Sequence, residues 1–479
     1  MHKRITDFLV YRWRFILGYG FIILVIGGML AVAALYIPHE LRQGEVDSAI
    51  ISGSLGTKDM APAAVVNLPY HLLQKLSFIV FGVTTLSIKL PSILLGSLTA
   101  LGIFLLVRTW FKSSVAILST LVTVVTAQFL FISQDGTPGI MFITIAIWLL
   151  FMATFITRRK YFGLFWKVLT CLAMAISLYT PMGIYLVAVM LVTALLHPHI
   201  RYMLRKFNKY RVAIALLLGA ASLAPLVYAI TASPSLAPVL LGIPTGNIDI
   251  VANILTVGRD LFGFNMASDS YLVRPLYTLG LTILMLIGLV RLMTQRYTAR
   301  SYITIAWGAV ILTLVMLNPA SITNLFPVSA ILISYGLIYL IYSWNRIFPR
   351  NPYARVAGLV PLTICVLALV VSGVTNFIST YHYSPAVLAN FSPDLKLFEQ
   401  TLQLQNAHAE TTQAVVSAEE LPFYQLVSKY NKRFTVSTTA SSGKKLSIYS
   451  RAAKPAGVIP AQVIVSPRMA NADRFYIYK

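Results

Sequence analysis

The chain has 479 residues, 57% of them hydrophobic and only 11% charged, with a formal net charge of +23. So apolar a composition excludes a soluble globule of ordinary kind. The basic residues stand in short clusters between apolar runs, which marks membrane topology and excludes a nucleic-acid binder. Cys171 and Cys365 are the only cysteines, each inside an apolar stretch, so neither a disulfide framework nor a cysteine zinc site is available.

The first apolar run, 14–37, follows Lys3, Arg4 and Arg12 and lacks the small-residue cleavage site of a removable signal. It reads as an uncleaved anchor with its N-terminus cytoplasmic. Further runs fall near 89–108, 113–132, 138–156, 164–180, 181–196, 212–232, 276–293, 301–318, 325–343 and 356–378, which predicts an α-helical polytopic membrane protein of about eleven spans. With that threading the cytoplasmic segments hold 21 Lys and Arg and the outer loops only six, as the positive-inside rule requires. Asp7 is cytoplasmic, whereas Glu40, Glu45, Asp47, Asp59, Asp135, Asp249, Asp260 and Asp269 all fall in outer loops. Acids carry little topogenic weight, so their placement points to function on that face. The basic run from Arg201 to Arg211 reads as a contact for anionic membrane lipid or, more simply, as a topogenic cluster.

Three outer segments are more than turns. The first, 38–88, contains apolar stretches at 49–55 and 68–81 that are too short or too polar to cross a bilayer, and these predict helices lying in the interface. The second, 233–275, is punctuated by Pro234, Pro238, Pro244 and Gly246. The third, 379–479, loses hydrophobicity and carries short β-like runs at 413–417, 433–437, 445–449, 462–466 and 474–478, with a helix start at Ser392, Pro393 and Asp394. The expected organisation is a transmembrane domain, 1–378, and a small extracytoplasmic α/β domain, 379–479, of a protein in the plasma membrane.

The stretch Asn67-Leu68-Pro69-Tyr70-His71-Leu72-Leu73, then Val80-Phe81-Gly82, then Lys89-Leu90-Pro91-Ser92, resembles the GT-C glycosyltransferases. In family 39, the protein mannosyltransferase and aminoarabinose transferase group, a proline-aromatic interfacial helix ends in Phe-Gly and a basic-Leu-Pro-Ser span follows. The resemblance extends more weakly from the first span to about residue 343. It implies an inverting membrane enzyme that takes a sugar from a polyprenyl-phosphate carrier and places it on an envelope glycan, lipid or protein at the outer face. An acceptor hydroxyl needs a carboxylate to receive its proton, and the departing lipid phosphate needs a cation or backbone donors.

The family's Asp-Glu pair after the first span aligns with Gly44-Glu45, so Glu45 carries over as the catalytic carboxylate and Asp47 is its possible substitute. Between the third and fourth spans, Gln134 and Asp135 match the family pattern, while Thr137 stands where Arg is usual and Gly139 where a second acid or aromatic is usual. The plain alternative for Thr137 and Pro138 is helix capping. Lys89 occupies the family's basic position as a phosphate contact or a snorkelling lysine. Tyr70 and His71 are candidate substrate contacts or interface anchors. Arg259 and Arg274, with Asp260 and Asp269, complete a cavity or form surface ion pairs. His71 has no second histidine at ligand spacing, no metal ligand set is visible, and divalent-metal dependence is left open. Gly44 and Thr137 keep alive a second reading, a divergent member of the fold that binds lipid-linked sugar or scaffolds envelope assembly. A transporter is disfavoured by spans almost free of charge and by the lack of an inverted repeat.

Overall fold

The computed structural model describes residues 13–478 apart from 38–39, 57–61, 112, 159–162, 245, 247, 264–273, 296, 348–351, 392–393, 406, 409, 441–445 and 467–472. The readings placed on Lys3, Arg4, Asp7, Arg12, Asp59, Asp269, Ser392 and Pro393 lie outside the described residues. In the first half run α1 (Trp13–Tyr36), α2 (Gln43–Ser54), α3 (Leu68–Phe81), α4 (Thr85–Trp110), α5 (Ser113–Val124), α6 (Ala127–Ile132), α7 (Gly139–Arg158), α8 (Gly163–Ser177), α9 (Gly183–Leu196), α10 (Pro198–Arg205), α11 (Lys209–Ser222) and α12 (Ala224–Ala232). There follow α13 (Leu236–Leu241), α14 (Ile250–Phe262), α15 (Leu279–Thr294), α16 (Ala299–Leu317), α17 (Phe326–Ile347), α18 (Pro352–Ile378), α19 (Pro385–Leu388), α20 (Leu395–Leu404) and α21 (Leu421–Tyr430).

Among the described residues five helical stretches are long and apolar enough to cross a membrane: Thr85–Trp110, Gly139–Ile156, Ala299–Leu317, Pro319–Ile347 and Val360–Tyr383. Two bent pairs, α9 with α10 at 89° and α11 with α12 at 40°, raise the number to seven, against the eleven expected. Prolines explain both bends. His197, the residue before Pro198, is extended at ψ 116, and Pro225 interrupts the ladder between α11 and α12. Helices Ile22–Tyr36, Gly163–Ser177 and Leu279–Thr294 are apolar but shorter. The expected span 113–132 is itself divided at Val125 and Thr126, where α6 begins with Thr126 accepting the Phe129 N–H. Gly373 of α18 approaches this break so closely that a Cβ there would lie 2.2 Å from the Val125 carbonyl oxygen.

Helices meet through small residues, as in membranes where apolar burial gives little preference between lipid and protein. A Cβ on Gly288 of α15 would sit 1.9 Å from Leu332 O, and one on Gly336 of α17 would sit 2.1 Å from Leu284 O. The main core also stacks Phe129 on Phe326 at 5.3 Å and Phe131 on Tyr381 at 4.5 Å.

Helix α3 is amphipathic in an inverted sense. Leu72, Leu73, Leu76, Ile79 and Val80 are exposed, while Tyr70, His71, Gln74, Ser77 and Phe78 are buried. An exposed apolar stripe opposite a buried polar one is the surface an interfacial helix requires. Helix α2 packs against the C-terminal region. Its Val46 and Ala49 join a core with Phe398, Phe423 and Leu426 from the C-terminal region, and a Cβ on Gly53 would fall 2.4 Å from Leu426 Cδ1.

The C-terminal region forms one five-stranded sheet from β1 (Thr412–Val415), β2 (Thr435–Ser437), β3 (Leu446–Ser450), β4 (Gln462–Val465) and β5 (Asp473–Tyr478), in the order β2-β1-β3-β5-β4. Strands β2, β1 and β3 are parallel, and β5 is antiparallel to both β3 and β4. Helix α20 is capped by Asp394, whose carboxylate accepts the Leu397 N–H at 2.9 Å, two residues beyond the start expected at Ser392. Ser466 donates to Glu40 at 2.9 Å and Arg474 to the Phe391 carbonyl at 3.1 Å, tying this sheet to the entry of α2.

Candidate active site

The site forms where three segments far apart in sequence converge: the start of α2, the α3–α4 pair, and the turn 133–139 before α7. Glu45 is the third residue of α2, and its Oε2 accepts the backbone N–H of Arg42 at 2.8 Å, the carboxylate half of a capping box. Its Oε1 accepts the Gly136 N–H at 2.6 Å and lies 3.7 Å from Lys89 Nζ. Glu45 is 0% exposed and Lys89 1% exposed. Burial raises the Glu45 pKa above the ordinary carboxylate value; Lys89 pulls it down, and the charge of Asp135 raises it again.

The Arg42 guanidinium reaches Asp135 at 2.6 Å and lies over the Phe131 ring at 5.7 Å. Thr137 donates to the same Asp135 oxygen, Oδ2, at 2.5 Å. The other oxygen, Oδ1, is buried with no hydrogen-bond partner. Two carboxylates and two cations are therefore paired in a desolvated cluster, an arrangement that is costly unless both pairs stay intact. Lys89 also reaches Gln134 Oε1 and the Ala34 carbonyl, each at 3.5 Å.

A hydrogen-bond hub beneath this cluster fixes its geometry. Gln74 donates to the carbonyls of Ile88 at 2.8 Å and Gly136 at 3.2 Å, and its Oε1 accepts from Ser48 at 3.0 Å and Ser52 at 2.6 Å. Since the one Ser52 proton goes to Gln74, the 2.8 Å contact between Ser52 and His71 requires Nδ1–H to be the donor. Burial lowers the His71 pKa from 6.5 to about 4, so the ring is neutral at physiological pH. Tyr70 shares a 2.8 Å hydrogen bond with Ser92, which donates to the Thr137 carbonyl at 3.4 Å.

Comparison with known proteins bears on this geometry. Residues 68–228 match the family model described as dolichyl-phosphate-mannose-protein mannosyltransferase. Over 96% of this chain and 97% of the other, the structure is similar to that of ArnT from Cupriavidus metallidurans bound to undecaprenyl phosphate, at 13% identity and a TM-score of 0.51. The chain shares the fold of ArnT, and its residues 68–228 resemble the protein mannosyltransferase family. The apo form of the same ArnT is similar over the same shares of the two chains, at 15% identity and a TM-score of 0.50. A comparison with curated protein sequences finds no match.

In this ArnT-like fold Glu45, Lys89, Gln134 and Asp135 form one cluster, with Tyr70 and His71 attached to it through the serines. Asp47 is separate: it is exposed on α2 and accepts from Gln43 at 2.9 Å. Arg274 donates to Asp260 at 2.6 Å, and Arg259 is exposed on the last turn of α14, which packs on α16 and the 319–325 turn. The Thr137 hydroxyl donates to Asp135, a contact that helix capping alone does not account for.

Two positions where the GT-C pattern breaks face each other. A Cβ on Gly44 would lie 3.5 Å from Thr137 Cγ2 and 3.8 Å from Arg42 Cζ, so the residue that lacks the pattern's carboxylate points at the turn that lacks its arginine. Arg42 brings a guanidinium to that turn from another segment. In the sequence Arg42 is one of the six basic residues of the outer loops, and no motif marks Gln74, Ser48 or Ser52. The signal for Gln74 was present in the polar stripe 70, 71, 74 and 77 on an otherwise apolar helix.

Proposed function

We propose that the chain is a membrane glycosyltransferase that moves a sugar from a polyprenyl-phosphate carrier to an envelope glycan, lipid or protein. In this reading α2, α3 and the turn 133–139 lie at the outer face of the plasma membrane, the N-terminus is cytoplasmic, and the C-terminal sheet is extracytoplasmic. The GT-C fold and the basic-residue asymmetry of the sequence support it. The transmembrane domain ends near 378 and the C-terminal domain follows.

The observation that carries the reading is the unpartnered, buried Oδ1 of Asp135, held beside Arg42 on a turn braced by Glu45 and Gln74. Glu45 already receives two backbone N–H groups and faces Lys89, so it positions the turn, and Asp135 is assigned the proton-accepting role. Asp47 is the alternative acid on the same helix. As the acceptor oxygen bonds to the anomeric carbon, its proton passes to Asp135 and the bond to the carrier phosphate breaks. The phosphate leaves with its electron pair, and the Arg42 guanidinium is the nearest cation to offset the new charge. Substrate-binding roles for Gln134, Lys89, Tyr70, His71, Arg259 and Arg274 belong to the same proposal.

The test is purified protein in lipid nanodiscs supplied with mixed polyprenyl-phosphate sugars. Donor hydrolysis or transfer is expected in the wild type and lost in Asp135→Asn. Full activity in Asp135→Asn with loss in Asp47→Asn returns the base to α2. One observation favours the second reading, a divergent binder: Glu45 is fully enclosed and Gly44 carries no side chain. Donor binding without turnover supports that reading.

A further inference from the structure

A cavity of about 560 Å³ lies between the α3–α4 connection and the C-terminal region, and none of the residues of the charged cluster lines it. One wall is the segment Phe81–Thr84; the other is Glu399 and Gln403 of α20 with Tyr430, Asn431, Lys432 and Arg433 after α21. The volume falls in the range of small-molecule sites, ~300–1,000 Å³.

Its lining has the chemistry that polyhydroxylated rings require. Glu399 and Gln403 are four residues apart and so share one face of α20. With Asn431 and Arg433 on the same wall they bring a carboxylate, two amides and a guanidinium to the lining. Together these groups accept and donate at neighbouring hydroxyls. Tyr430 supplies an aromatic ring for the C–H face of a sugar, and that ring is held edge-on against Phe78 at 6.3 Å. The other wall is rigid too: Gly82 ends α3 at φ 69, a conformation that favours glycine, and Thr84 and Ser87 cap the start of α4 reciprocally. The cavity shares Phe81 with the exposed apolar side of α3. Thr84, which lines the cavity, is the N-cap of α4, and Lys89 of the charged cluster follows five residues later at the same end of that helix, roughly 7.5 Å of rise.

We infer that this cavity binds a saccharide, the acceptor of the transfer reaction, and that α20 and the segment after α21 read it. The acceptor role rests on the glycosyltransferase reading; the saccharide site does not. The test is an array of di- and trisaccharides of mannose, glucose, galactose and N-acetylglucosamine probed with the full chain in nanodiscs, followed by calorimetry on the best ligand. At least one saccharide is expected to bind, with affinity falling about ten-fold in Arg433→Ala and in Glu399→Gln, the effect of losing a charged hydrogen bond. Gln403→Ala, at an exposed position, gives a third variant whose fold is secure. Absence of saccharide binding to the wild type, or equal affinity in all three variants, overturns the inference. Competition by inorganic phosphate but by none of the sugars overturns it in favour of an anion site. Donor hydrolysis by the wild type is measured in parallel. Sugar binding without donor turnover keeps the saccharide site and removes the transfer reading, and turnover without sugar binding does the reverse.

Discussion

Glu45 Oε1 lies 2.6 Å from the amide nitrogen of Gly136, joining residues 91 apart in sequence, and the glycine makes the approach possible. A Cβ at position 136 would fall 2.8 Å from Ile88 Cγ2 and 3.1 Å from that same carboxylate oxygen. Gly136→Ala is therefore expected to destabilise the protein by ~1–3 kcal/mol, the usual cost of overpacking. Gly139→Ala, where the new carbon would meet only Thr137 Oγ1 at 3.8 Å, is the matched control. Thermal unfolding in detergent checks both, and equal midpoints would remove the packing argument.

The Glu45–Lys89 pair makes a double-mutant test. Each is buried, so Glu45→Gln or Lys89→Met leaves one charge without its partner and is expected to cost ~3–5 kcal/mol. The double variant should recover part of that loss, because no uncompensated charge then remains. Unfolding losses that simply add would show that the two side chains do not act as a pair.

His71 confers an acid sensitivity whose sign follows from its lowered pKa. The folded ring stays neutral down to about 4, while the unfolded ring takes a proton near 6.5. Its contribution to stability is complete above 6.5 and is lost as the pH falls from there through 4. Between pH 7 and 5 the loss is ~2 kcal/mol. His71→Asn retains an N–H for Ser52 without titrating, so its melting temperature should fall less over that interval; parallel curves for the two proteins would refute the assignment.

Position 44 offers a gain-of-function test. An aspartate there projects toward Arg42 and Thr137 without a steric clash at Cβ. Gly44→Asp is expected to raise donor turnover, by up to about 100-fold where the new carboxylate takes over as base. Turnover indistinguishable from wild type, at unchanged melting temperature, would place residue 44 outside the chemistry.

How much was legible in the sequence depended on whether a signal was local. The five strand positions fall within a residue or two of those expected, because period-two patterning between turn residues is a local property. Helix α3 was legible for the same reason. The orientation of its polar stripe was not, since Gln74 and His71 face Ser48, Ser52 and the Gly136 carbonyl instead of water, and only tertiary packing decides that. The break at Val125 and Thr126 was missed because both residues are compatible with an apolar helix, and the division coincides with the close approach of Gly373 from a distant helix. The Arg42–Asp135 pair was missed because a guanidinium arriving from 93 residues away leaves no mark on its neighbours.

The shared core of α2 with Phe398, Phe423 and Leu426 has a consequence for biogenesis. Residues made early on the ribosome wait for the last hundred before their greasy side is covered. Until then quality-control proteases and chaperones meet a half-dressed intermediate, and a nonsense codon between 384 and 395 would leave it so permanently. Such chains should be degraded even though every membrane-crossing segment is already in place.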